Sequence, residues 1–548
     1  MKPLLAGKSI LIVEDYPVMR KAIRDMLYTL DADSIFEADN GENAIAAMSK
    51  TAFDVVLCDY NLGPGKTGQQ VLEEARYRKL ISYNCIFIII ASEQSAGLVL
   101  GAMDSKPDEY LAKPFNAQQL FCRIERNLHR KGVLQSIDKE VERGNLAQAI
   151  QNCETLLASN NVKMRMHLLK MRAELAVLVG DYATGRSIYQ DILQQREIPW
   201  ARLGLGIIEF QQGNLESAIH QFEWLLRENP RFLEGYDWLS KALEAQDKLS
   251  EMQEVLNQAV DLSPQSILRQ KKLAETADKN GNVEVAEKAY KAAVSLGKHS
   301  VYKSSSDFTQ LAKLYSKAST PQKALSTLVE MRMEYQHDPE AELRAATLEA
   351  ELHKASGNDE HADLCLQKAL LLHKQLGNKS PKDLQLDIAR CCYLHNQPDQ
   401  AEDILGSLIK THIDDDGFLN DVREMHSGLG MDNHSEALIQ STKRALIATN
   451  NKGVALYKQG HFKEAMELFE QAMATMPDNK TIIINMLKII MHDLKTNDIS
   501  KDKLTRAQQL LKKARQVGID KHKLGGLQME FSHLLGQQKV EAKVNGAG

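Results

Sequence analysis

At 548 residues the chain exceeds the roughly 250 to 300 residues at which a single hydrophobic core stops growing, so at least two structural units are expected. Hydrophobic residues make up 43% and charged residues 26%, close to soluble globular averages, which excludes wholesale disorder and a membrane-embedded protein. The formal net charge of -5, without a Lys/Arg cluster interleaved with aromatics, excludes nucleic acid as a first-choice partner. No apolar run approaches the roughly 20 residues of a membrane span, and Met1 to Lys8 lacks a long apolar core or a small-residue cleavage site. A cytoplasmic location without membrane insertion is therefore expected. The seven cysteines, odd in number and without C-x-x-C spacing, suit buried thiols in a reducing compartment, and a redox role for the adjacent pair Cys391 and Cys392 is set aside.

In chain order, short β-branched runs come first: Ile10 to Val13, Ile35 to Ala38, Val55 to Cys58, Ile86 to Ile90 and Tyr110 to Ala112. Helical patterns separate them, which predicts a doubly wound α/β unit with a five-stranded parallel sheet over residues 1–131. Runs apolar at every position, such as Ile86 to Ile90, fit strands covered by helices on both faces. In such sheets the functional crevice lies beyond the carboxyl ends of the strands.

Beyond about residue 132 the β-type runs give way to amphipathic helical segments, so the fold class is α/β followed by all-α. Gly213, Asp247 and Gly281 are spaced by 34, as are Ala218, Met252 and Ala286, and Phe222, Leu256 and Tyr290, while Pro230 and Pro264 keep the same step. A small residue in the second helix, a large apolar residue four later and a closing Pro form the tetratricopeptide signature, and predict an α-helical solenoid. The small residue lets two helix backbones approach while the large one fills the hollow beside it. Looser copies carry Ala149, Gly185, Ala324, Ala362 and Ala401, and a clean one carries Gly453, Gly460, Ala465, Phe469, Ala472 and Pro477. Asp414 to Ser441 breaks the period. The expected organisation is helical repeats over 132–412, an irregular helical segment over 413–445, further repeats over 446–540 and a flexible tail over 541–548.

Glu14 and Asp15 follow the first strand, Asp59 ends the third, and Lys113-Pro114-Phe115 follows the fifth. Three carboxylates converging on one crevice repel one another unless a cation sits among them, and an all-oxygen donor set suits Mg²⁺. Gly65-Lys66-Thr67 ends like a phosphate-binding loop, but the first glycine of that motif would fall on Tyr60, so nucleotide binding is discarded. No histidine pair has zinc-site spacing.

With these motifs in place, residues 9–130 resemble a two-component response-regulator receiver domain of the CheY type, and the whole chain resembles a receiver joined to tetratricopeptide repeats. The resemblance rests on Ile10-Leu11-Ile12-Val13-Glu14-Asp15, on Val55-Val56-Leu57-Cys58-Asp59-Tyr60-Asn61 and on Tyr110-Leu111-Ala112-Lys113-Pro114-Phe115. It implies that Asp59 is the phosphoacceptor, that Glu14, Asp15, Asp59 and the backbone carbonyl of Asn61 hold Mg²⁺, and that Lys113 contacts the phosphoryl group. It also implies that Tyr110 is the switch aromatic and that Asn61 and Glu93 tune dephosphorylation. One position departs from the family: Thr or Ser is expected at the end of the fourth strand, whereas an ungapped count back from Lys113 reaches Ala91, with Ser92 next.

With no DNA-binding or enzymatic output pattern behind the receiver, no catalytic residues are expected and the output is protein binding through the helical array. The expected partners are a sensor histidine kinase and one or more proteins held by the repeats. The alternative is a phosphate sink anchored to a histidine kinase, limiting phosphotransfer to another regulator.

Overall fold

The computed structural model describes the chain except residues 1–4, 93–105, 160–162, 414, 476–478, 497–499, 520–523, 529 and 532–548. Glu93, Asp414, Pro477 and the 541–548 tail thus lie outside the described residues. The chain divides into two compact units, Met1–Leu328 and Val329–Gly548.

The first unit opens with β1 (Ser9–Val13), α1 (Pro17–Thr29), β2 (Ser34–Ala38), α2 (Gly41–Lys50), β3 (Val55–Asp59), α3 (Gly68–Tyr77), β4 (Ile86–Ser92), β5 (Glu109–Lys113) and α4 (Ala117–Glu142). All five expected strands are present, each one or two residues longer than its apolar run. They form one sheet in the order β2-β1-β3-β4-β5, every neighbouring pair parallel. The continuous apolar runs follow from burial on both faces. Leu11, Val13, Val56, Cys58, Phe87 and Ile89 pack with α2 and α3 through Ile45, Met48, Val71 and Leu72. Their alternates Ile10, Ile12, Val55, Leu57, Ile88 and Ile90 pack with α1 and α4 through Ile23, Leu27, Leu120 and Ile124.

Helices follow in series within the same unit: α5 (Leu146–Ala158), α6 (Arg165–Val179), α7 (Tyr182–Gln195), α8 (Pro199–Gln211), α9 (Leu215–Glu228), α10 (Leu233–Ala245), α11 (Leu249–Leu262), α12 (Ile267–Lys279), α13 (Val283–Gly297) and α14 (Ser305–Lys317). Consecutive helices pack against one another, as a repeat array requires. The 34-residue period has a direct backbone cause, because Gly213, Asp247 and Gly281 all sit at positive φ (81°, 58° and 75°) in the turn between the two helices of a repeat. The period also marks a close approach: Gly206 lies against the ring of Phe222, where an added Cβ would fall 2.4 Å from Cε1. Gly453 lies against Phe469 in the same way, at 2.5 Å from Cζ. Ala149, Ala218, Ala286, Ala324, Ala362, Ala401 and Ala465 are all fully buried at helix crossings.

In the second unit, Leu343, Ala346, Leu366, Ile388, Leu405 and Val422 belong to one core, and Phe469, Ile483, Leu487 and Leu511 to another. The stretch that breaks the period forms the helices Asp416–Gly428 and Asp432–Lys458; the second runs on past residue 445 without a turn. Cys391 and Cys392 are buried in the first of these cores, and burial raises both thiols, that of Cys392 to about 11. Neutral thiols of this kind are poor nucleophiles, as befits packing residues. Among the described residues no helix is long and apolar enough to cross a membrane.

Candidate functional site

The strand order reverses direction between β1 and β3, which opens a crevice at their carboxyl ends. β1 delivers Glu14 and Asp15 to that crevice, and β3 delivers Asp59. One carboxylate oxygen from each of the three lies within 4.8 Å of the others. Lys113, at the end of β5, reaches back across the strand ends: its Nζ donates to Glu14 Oε2 at 2.8 Å and to Asp59 Oδ2 at 2.9 Å.

Glu14 and Asp59 are buried while Asp15 is exposed, so the cleft is open on one side. Desolvation raises the Asp59 carboxyl above its ordinary value, against the lowering influence of the Lys113 hydrogen bond. The same cause raises Glu14, with the charge of Asp59 adding to it. Lys113 is raised despite its own burial, because two carboxylates accept from it. Among the described residues one ammonium thus serves two buried acids, and the cleft is short of positive charge. An oxygen-ligated cation fits that deficit.

Asn61 lies just past Asp59 and is exposed, with its Oδ1 accepting from the Gly63 amide at 3.4 Å. Tyr110 packs half-buried against the α2–α3 side of the sheet, and burial pushes its phenol up to about 12. Ala91 is buried and pairs with Ala112, whereas the exposed Ser92 pairs with Lys113 in the β4–β5 register. Ser92 therefore stands level with the lysine at the mouth of the cleft, one residue beyond the position reached by the ungapped count.

Sequence reasoning missed two supports of this site. Arg20 on α1 donates to the Glu14 carbonyl and to Glu37 Oε2 at 3.0 Å, holding the acidic turn in place. Gly68, the first residue of α3, lies directly on the acceptor: a Cβ there would fall 2.1 Å from the Asp59 carbonyl oxygen, so only glycine fits. The signal for Gly68 was the Gly65-Lys66-Thr67 stretch set aside above, whose real task is to start α3. Thr67 accepts from the Gln70 amide at 3.3 Å and Gln70 Oε1 accepts from the Thr67 amide at 3.0 Å, a reciprocal cap.

The chain is similar to known proteins in its N-terminal part and in two stretches of the helical array. The response regulator receiver domain model matches residues 10–125, and tetratricopeptide repeat models match residues 203–267 and 447–479. Chemotaxis protein CheY of Pseudomonas aeruginosa is 31% identical over 121 residues, which cover 22% of this chain and 96% of that protein. Transcriptional regulatory protein TcrA of Mycobacterium tuberculosis is 33% identical over 128 residues, 23% of this chain and 48% of that protein. Among solved structures, the C-terminal part of a tetratricopeptide repeat-containing protein from Cytophaga hutchinsonii aligns with TM-score 0.36 and 12% identity, covering 46% of this chain and 97% of that one. The receiver domain of the sensor histidine kinase PA1611 from Pseudomonas aeruginosa, with a magnesium ion coordinated in its active site cleft, aligns with TM-score 0.21 and 27% identity, covering 23% of this chain and 99% of that one.

Proposed function

Since the chain belongs to the response regulator receiver family and carries tetratricopeptide repeats behind that domain, we propose that it is a phosphorylation-gated adaptor. In this reading Asp59 takes a phosphoryl group from a sensor histidine kinase, and the helical array passes the signal on by binding other proteins. The observation that carries it is the convergence of Glu14, Asp15 and Asp59 with Lys113 at the strand-order reversal.

Phosphoryl transfer depends mostly on positioning and charge stabilisation. Asp59 Oδ forms the new P–O bond as the P–N bond of the donor phosphohistidine breaks, and the imidazole nitrogen keeps that electron pair and takes up a proton. Lys113 Nζ, which already donates to Asp59, neutralises a phosphoryl oxygen. Glu14, Asp15 and Asp59, with the carbonyl of Asn61, are the residues that would hold Mg²⁺. When bound, the ion supplies further neutralisation of the phosphoryl oxygens. The product carries about -1.5 to -2 charge units where one carboxylate stood, enough to reorder the loops around it. Asn61 and Glu93 are the residues proposed to tune its hydrolysis.

The switch residues make a prediction of their own. Ala91→Thr adds a hydroxyl at the position where the family places one, with little extra volume. It should enlarge the phosphodonor-dependent change in hydrogen exchange around Tyr110 while leaving labelling of Asp59 intact. No change in exchange would mean that Ser92 already makes the phosphoryl contact. The adaptor reading itself is tested by measuring partner capture from native cell extract with and without phosphodonor.

A further inference from the structure

The helix pair that breaks the repeat period encloses a histidine. His426, near the end of the helix Asp416–Gly428, is fully buried. Its Nδ1 lies 3.0 Å from the Val422 carbonyl, and its Nε2 lies 3.4 Å from the Tyr393 hydroxyl on the helix Lys382–Leu394. A carbonyl only accepts, so Nδ1 carries the hydrogen of the neutral ring and Nε2 accepts from Tyr393. Burial pushes that phenol up to about 12, so it stays a donor. Both nitrogens of the neutral imidazole are thereby satisfied.

The groups around the ring come from each helix packed against it. Tyr393 meets it edge to face with centroids 5.4 Å apart, and His434 of the helix Asp432–Lys458 lies at the same 5.4 Å. Glu402, on the helix Pro398–Thr411, is the carboxylate acting on it, but its Oε1 is engaged by His434 Nε2 at 3.1 Å. On the same helix as His426, Arg423 pairs with Glu436 at 3.4 Å. At the other end of that helix, about 12 Å away along its axis, His412 packs on Phe418 and Lys382 pairs with Asp415. A proton on His426 therefore sets a second donor against the Tyr393 hydroxyl and a cation beside His434. Desolvation holds His426 below its ordinary value against the Val422 hydrogen bond, and His434 adds to the lowering. The helix Asp432–Lys458 also joins the two cores of the second unit, with Ile439 in one and Val454 and Tyr457 packed against the other.

We propose that His426, Tyr393 and His434 form a proton-operated latch. With His426 neutral it fastens the helices Asp416–Gly428 and Asp432–Lys458 to Lys382–Leu394, and a proton on His426 unfastens them. The second unit thus has an input of its own, which does not depend on the phosphoacceptor reading. Because the folded ring resists the proton, the latch contributes fully above the ordinary value of 6.5 and is lost as pH falls from there through the folded value.

The test uses the full chain without phosphodonor, from about pH 8 to about pH 5.5. Backbone hydrogen exchange at 416–441, corrected for its intrinsic pH dependence, is read beside that at 215–228, where His220 is exposed. Exchange of the imidazole C2 hydrogen follows each histidine separately. His426 should titrate below 6.5. Protection at 416–441 should fall about 3- to 10-fold by about pH 5.5 while 215–228 is unchanged, tenfold being about the limit for one proton one unit below the ordinary value. His434→Gln, at a partly exposed ring, removes the like charge and frees Glu402, so the midpoint should move to higher pH. His426→Gln should make protection at 416–441 independent of pH over this range. If that variant melts early even at about pH 8, the His426 titration and His434→Gln decide. The latch is overturned if His426 titrates at or above 6.5, or if 416–441 keeps pace with 215–228 throughout. A midpoint unmoved by His434→Gln, or a pH dependence retained by a folded His426→Gln, overturns it equally.

Discussion

Asp59→Ala is expected to abolish acid-labile labelling by acetyl phosphate and Mg²⁺, because among the described residues no other carboxylate both touches Lys113 and lies at the end of the central strand. Glu14 also touches Lys113, but its carboxylate is buried to 2% exposure, leaving little room for an incoming phosphoryl group. The stability of the variant provides an internal control. Burial raises the Asp59 carboxyl, so the folded receiver favours the protonated form and holding the anion at neutral pH costs stability. That contribution is favourable below the unfolded value and is lost as pH rises through the folded one. Asp59→Ala should therefore melt no earlier than wild type at pH 7 in the absence of Mg²⁺, and its advantage should shrink as pH falls towards 4. Equal labelling of the variant and the wild type would sink the assignment; loss of label together with early melting would point to unfolding instead.

Phe222→Ala should destabilise the repeats of the first unit by about 3 to 5 kcal/mol, the usual cost of emptying a buried phenylalanine site. The Phe222 side chain is fully buried, its ring is stacked on Trp238 at 6.4 Å, and Gly206 closes its other side with no room to collapse inward. Solenoid energetics are nearly local, so labelling at Asp59 should survive while a melting transition of the repeats moves down. Lys241→Ala is the contrast: Lys241 is exposed, its ammonium 4.5 Å from the Trp238 ring, a contact worth roughly 0.5 to 1 kcal/mol at an exposed site. Arg202 would be a poor choice for that control. From its place on a first helix it reads as a groove or solvent residue like Lys241, but the structure sets it 4.2 Å from the Trp224 ring with hydrogen bonds to Glu197 and Gln221. Removing it would cost packing as well as charge. Unchanged melting of Phe222→Ala would mean that the ring is not part of the repeat core.

The sheet was legible because strands covered on both faces must be apolar at every position, and Ile86 to Ile90 is such a run. The repeat was legible because the backbone demands it at fixed intervals: left-handed turn residues at Gly213, Asp247 and Gly281, and fully or nearly buried small residues at Ala218 and Ala286. The cleft was legible because carboxylates at strand ends have few other uses. Gly68 and Arg20 were not, since a glycine that opens a helix and an arginine on an amphipathic one have many commonplace explanations in sequence. The hydrogen bond from Gln70 to the Leu296 carbonyl joins residues 226 apart and involves no periodicity at all, so only the folded chain reveals it. The stretch over 414–441 keeps a turn with Gly430 at positive φ (71°) between its two helices, but the second of them, Asp432–Lys458, carries on where other repeats place their next turn, so the 34-residue step is lost.

Phosphorylation at Asp59 is proposed to change what the helical array binds. The most direct measurement is the amount of each protein captured from native cell extract by the full chain, with and without acetyl phosphate and Mg²⁺, set beside Asp59→Ala. At least one partner's capture should change with phosphodonor on the wild type and not on the variant. Full labelling of Asp59 with every partner captured equally in both conditions would contradict it, and would leave the chain as a phosphate sink anchored to its kinase.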